Sequence, residues 1–144
     1  MSRQYYLDLA EKGLAMPLAV DLYVHRISSP DRVDADPAEM ARVMTTAARE
    51  MQTPLAVAPM DLRVERAALM EWLGAEDPHD EKLHLDEPLA PEAFAAAKEK
   101  AASAPLTPRM QVTIDALAKI AAEDKDLVPA GMCIGPFSLV TKMM

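Results

Sequence analysis

The chain has 144 residues, 51% of them apolar, and a formal net charge of −8, which suits one domain with a core, excludes general disorder and argues against sequence-independent binding of nucleic acid or an anionic membrane. No apolar run is long enough to cross a bilayer as a helix, and the start, Met1-Ser2-Arg3-Gln4-Tyr5-Tyr6, lacks the layout of a secretory signal. Cys133 is the only cysteine, which excludes an intrachain disulfide and a cysteine-built zinc cluster, so the expectation is a cytoplasmic protein.

Residues Arg3 to Leu14 read as a short amphipathic helix with Tyr5, Tyr6, Leu9 and Ala10 on one face and Gly13 as its stop. Pro17 to Val24 reads as a strand running into His25, apolar on both faces except for Asp21. Arg26 to Ala35 is polar and holds the turn signal Ser28-Ser29-Pro30-Asp31. Asp36 then stands as a helix N-cap, Pro37 as the first helical residue and Glu39 as the far side of a capping box. Met40, Val43, Met44, Ala47, Ala48 and Met51 follow at helical spacing, one apolar stripe suited to lying on a sheet.

Thr53 to Leu62 is the organising stretch. Its core is continuously apolar, as in a parallel strand covered on both faces. Strand, loop, helix and strand from Pro17 to Leu62 therefore predict a βαβ unit with a right-handed crossover. A helix from Val64 to Leu73, ended by Gly74, comes next, with Val64, Ala67, Ala68 and Trp72 packed. Ala75 to Lys82 reads as a solvated loop and Lys82 to Leu85 as a brief edge strand. An alanine-rich helix runs from Pro91 to about Ser103. Thr107 caps and Pro108 starts a long helix with Met110, Ile114, Leu117, Ala118 and Ala121 inward. Asp124-Lys125-Asp126 turns the chain into a third strand, Leu127 to Ile134, and Gly135-Pro136 opens a last helix from Phe137 to Met144.

Most of the twelve prolines punctuate these elements, and the eleven methionines suit an adaptable core. The fold class expected is α/β. Three βα-type units leave an open sheet edge that needs a cover. A closed (β/α)8 barrel takes about 250 residues, so the chain reads as the truncated amino-terminal part of one, associating with itself or with a completing chain.

In such folds the carboxyl ends of the strands face the active site. Asp61 sits there, either as a functional carboxylate or as a cap for the helix near Val64, and the two roles are compatible. Arg63 and Arg66 follow closely, suited to a carboxylate or phosphate ligand or else to a charged helix surface with Glu65. His25 ends the first strand, where a substrate contact and a solvent-facing residue are both open readings. His25, His79, His84 and Cys133 show no metal-ligand spacing, and Cys133 reads as a small buried hydrophobe. Gly131 and Gly135 lack the Lys-Ser/Thr ending of a phosphate-binding loop.

Two blocks together carry a resemblance. Pro59-Met60-Asp61-Leu62-Arg63-Val64-Glu65, leading to Leu73-Gly74, resembles the segment of the uroporphyrinogen decarboxylase superfamily that bears its active-site aspartate. Gly131-Met132-Cys133-Ile134-Gly135-Pro136-Phe137-Ser138-Leu139 resembles that superfamily's Gly-x-x-Gly-Pro-Phe/Trp-Thr-Leu block. The resemblance implies a (β/α)8 barrel, with Asp61 at its mouth. The chain departs from true decarboxylases: no Arg-Gln-Ala-Gly-Arg-Tyr block lies between Met1 and His25, and Lys142 stands where they have tyrosine. It is more similar to the branch of corrinoid-linked methyltransferases, which move methyl groups between a corrinoid protein and a thiol or related acceptor. That likeness implies a small-molecule or corrinoid-protein substrate and a zinc ion that activates the thiol. The zinc ligands of that branch, a His-x-Cys pair and a later Cys, fall beyond the stretch matched here. The other readings are porphyrinogen decarboxylation and a noncatalytic fragment or subunit completed by another chain.

Overall fold

The computed structural model describes residues 3–13, 16–17, 19–77, 85, 87 and 90–143, and among these the chain is mostly helical with two short parallel strands. The described residues form two compact units, one from residues 1–59 and 111–132, the other from residues 60–110 and 133–144. The expected strand at Lys82 to Leu85, together with His79 and His84, lies outside the described residues except for Leu85.

The first unit is built on α4 (Pro37–Glu50). Asp36 Oδ1 accepts the Ala38 N–H at 2.8 Å and Pro37 occupies the first helical position, as the sequence predicts. The reciprocal half of the capping box does not form. Glu39 instead accepts the Ser28 hydroxyl at 2.8 Å and pairs with Arg42 at 2.7 Å and Arg32 at 3.2 Å. These partners hold its carboxyl below the usual range, the Arg42 hydrogen bond contributing most. Met40, Val43, Met44, Ala47 and Ala48 are buried, so the predicted stripe is the core of this unit.

α4 ends in a Schellman motif: Gln52 N–H reaches Arg49 O at 3.1 Å and Thr53 N–H reaches Ala48 O at 3.0 Å. Gln52 takes the left-handed conformation there, with φ 54°. β1 (Leu55–Val57) follows and pairs in parallel with β2 (Val128–Ala130), Leu55 opposite Val128 and Val57 opposite Ala130.

Three expectations are corrected. The strand expected over Pro17 to Val24 is overturned from Val20 onward, where α2 (Val20–Ile27) takes its place, and α3 (Pro30–Ala35) follows the Ser28-Ser29 turn. Val20 and Val24 are buried while Asp21, Leu22, His25 and Arg26 are exposed, a helical period that a short apolar run conceals. Among the described residues, the βαβ unit expected from Pro17 to Leu62 does not form, and the parallel neighbour of β1 is β2. In α7 (Pro108–Glu123) the buried residues are Ala116 and Ile120, with Val112 and Leu117 partly buried against the core. Ile114, Ala118 and Ala121 are exposed instead of inward. Cys133 is exposed because the ladder stops at Ala130 and an irregular segment carries the chain onward.

α1 (Arg3–Glu11) forms where predicted and has no buried residue; Gly13 follows it with φ 69°. In the second unit α5 (Val64–Trp72) packs against α6 (Pro91–Ser103) and α8 (Pro136–Met143). Gly74, at φ 86°, closes α5 with the same Schellman pattern, its N–H on Glu71 O and that of Ala75 on Met70 O, both at 3.0 Å.

Candidate functional site

The second unit gathers the polar residues of the candidate site. Asp61 lies four residues beyond β1 in the chain and just ahead of α5. Its side chain is 17% exposed. Oδ1 accepts the Arg63 backbone N–H at 3.1 Å, an Asx-type turn, and the Arg63 Nε at 2.8 Å. Oδ2 takes Arg63 Nη2 at 3.2 Å, completing a two-pronged guanidinium–carboxylate fork.

Burial pushes the Asp61 carboxyl up, but the Arg63 hydrogen bonds and the charges of Arg63 and Arg109 outweigh it. The group is held below its ordinary value and is anionic at neutral pH. The capping expectation is corrected in detail. Arg63 occupies the N-cap position of α5 without a side-chain cap hydrogen bond, and Asp61 orders the turn before the helix.

Arg63 is 64% exposed on its side chain, whereas Arg66 is 6% exposed within α5. The two arginines therefore do not present one joint surface to a ligand. Arg63 is the exposed guanidinium next to the carboxylate, and Arg109 adds positive charge from the start of α7. His25 lies in the other unit, exposed in the last turn of α2.

Glu65 was visible in the sequence only as part of a charged helix surface. Its Oε1 accepts the Ile134 N–H at 3.3 Å, joining residues 69 apart. Its Oε2 is enclosed and, among the described residues, has no hydrogen-bond partner. The signal that could have found this contact is that Glu65 and Ile134 fall inside the two quoted blocks.

The arrangement can accept hydrogen bonds from a ligand through Asp61 when Arg63 swings aside, and can offer guanidinium N–H groups to a ligand carboxylate through Arg63. No group of three or more His, Cys, Asp or Glu side chains among the described residues is placed to hold a metal ion. No described helix is long and apolar enough to cross a membrane. Comparison with protein-family models, curated proteins and solved structures returned no match.

Proposed function

We propose that this chain is part of a (β/α)8 barrel of the uroporphyrinogen decarboxylase superfamily, in its corrinoid-linked methyltransferase-like branch, and that Asp61 orients the bound substrate. The observation that carries this reading is the Glu65–Ile134 hydrogen bond, which ties together the two sequence blocks on which the resemblance rests. Parallel pairing of β1 and β2, each leading into one of those blocks, also supports it.

In the proposed reaction, the methyl group leaves the cobalt of a corrinoid substrate, with the C–Co electron pair staying on cobalt. The sulfur of the acceptor supplies the pair for the new C–S bond, and the thiol proton passes to solvent. Asp61 binds donor groups of the substrate through its two carboxylate oxygens, and Arg63 gives up its fork to let the substrate in.

The test is methyl transfer from methylcobalamin to a thiol by the purified chain, alongside Asp61→Asn. Transfer that falls at least about a hundredfold in Asp61→Asn, the scale of losing one preorganised electrostatic contact, supports the reading. Full activity of Asp61→Asn refutes the site. Carboxylate loss from uroporphyrinogen, without methyl transfer, moves the assignment to decarboxylation. Inactivity in both assays, restored by a second chain, moves it to a noncatalytic subunit.

A further inference from the structure

The second unit contains a cavity of about 460 Å³ that lies between the ends of α5 and α6 and the segment entering α7. It is separate from the residues assigned to the Asp61 site. Glu71 and Trp72 line it from α5, Lys100 and Ser103 from α6, and Leu106 and Pro108 from the connecting segment. Its volume is within the range of small-molecule pockets, ~300–1,000 Å³.

Three features define what fits. Trp72, Leu106 and Pro108 make an apolar wall with an aromatic face. Leu106 is 53% exposed, so apolar surface stands open to water there. Glu71 and Lys100, of opposite charge, both line the cavity, and neither side chain has a hydrogen bond or ion pair among the described residues. Ser103 turns its hydroxyl back to Glu99 O at 3.1 Å and Lys100 O at 3.3 Å, leaving its oxygen lone pairs as acceptors.

We propose that this cavity binds a small zwitterion, a free amino acid with an apolar side chain. Glu71 receives the ligand ammonium, Lys100 receives its carboxylate, and the wall containing Trp72 covers the side chain. A polyphosphate is disfavoured, because the single ammonium is matched by a carboxylate that repels it. A purely apolar ligand would leave both charges without recognition.

Trp72 is the only tryptophan in the chain, so a ligand in this cavity changes the fluorescence of an indole that lines it, with no second indole contributing. The experiment is a titration of the purified chain with L-leucine, repeated with N-acetyl-leucine and leucine amide, and with Glu71→Gln and Lys100→Met. The expected result is a saturable fluorescence change with L-leucine. Glu71→Gln and N-acetyl-leucine should each weaken binding about tenfold through loss of one charge-assisted contact. Lys100→Met and leucine amide should do the same at the other end. Circular dichroism of the variants should match the parent, since both side chains are on exposed helix surface. Absence of a saturable change, or L-leucine affinity unaltered in both variants, overturns the proposal.

Discussion

Replacing Glu65 in two ways separates its hydrogen bond from its charge. Ile134 is 9% exposed and its N–H donates to Glu65 Oε1 at 3.3 Å. Glu65→Ala leaves that N–H without an acceptor in a place water barely reaches, which costs about 1–3 kcal/mol. The 3.3 Å length puts the expectation at the lower end, and the better helix propensity of alanine offsets a few tenths more. Glu65→Gln keeps a carbonyl acceptor for Ile134 and replaces the enclosed, partnerless Oε2 by a neutral amide nitrogen, which is less costly to bury than a carboxylate. The glutamine variant is therefore expected to be at least as stable as the parent, and the alanine variant less stable by roughly 1 kcal/mol. Urea unfolding followed through Trp72 reads the unit that contains both residues, and hydrogen exchange at the Ile134 amide reads the bond itself. Exchange should accelerate in Glu65→Ala and stay unchanged in Glu65→Gln. An alanine variant as stable as the parent removes the tie between the two blocks. A glutamine variant as unstable as the alanine one shows that charge, not hydrogen bonding, holds the contact.

Three further outcomes follow from the geometry. Met44→Ala, at a fully buried position, should cost about 2–5 kcal/mol, and Met51→Ala, half-buried at the end of the same stripe, clearly less; equal losses in urea melts would contradict the burial described for α4. Gln52→Gly should raise stability by roughly 0.5 kcal/mol, because Gln52 holds a left-handed conformation that glycine adopts without steric cost; a lower melting temperature would refute it. Asp61 has a folded pKa below its unfolded value, so its contribution to stability is present above the unfolded pKa, near 3.9, and is lost as pH falls through the folded one. Arg63→Gln should move the carboxyl titration upward, since burial then works against less opposing charge; carbon-detected NMR showing an unmoved midpoint would exclude the fork in solution.

Signals that act within one turn of helix were legible in the sequence. Asp36, Gly74 and Thr107 stop or start the helices assigned to them, Thr107 Oγ1 accepting the Met110 N–H at 3.3 Å, because a cap needs only its neighbours in the chain. The stripe of α4 was legible because its opposite face is charged, with Glu39, Arg42 and Arg49 fixing the phase. α7 carries apolar residues around most of its circumference, so its pattern permits several inward faces. Packing selects Ala116 and Ile120, beside Leu127 at the entry to β2. The run through Val20 failed differently. Its apolar residues satisfy a strand and a helix alike, and Asp21, taken as a break in a strand, is the solvent side of a helix.

The candidate site divides along the same line. The Asp61–Arg63 fork spans two residues, and the proximity of a carboxylate and a guanidinium there was readable before any geometry, although its closure onto itself was not. That closure changes the chemistry. A carboxylate already holding a bidentate guanidinium and a backbone N–H has little acceptor capacity left, so a ligand that uses Asp61 must displace Arg63. Arg63 can yield because its side chain is mostly in solvent, where the fork is weakened by competing water, while Asp61 is enclosed and fixed by the turn. Arg66 shows the opposite case: the same residue type, three positions on, is buried in α5 and positioned for structure instead of exchange. The contact between Glu65 and Ile134 is beyond any local signal, for it needs α5 and the segment before α8 to meet. A function that depends on both blocks becomes physical only through that meeting. The Glu65 variants therefore test the premise of the proposed function more directly than any substitution at Asp61 itself.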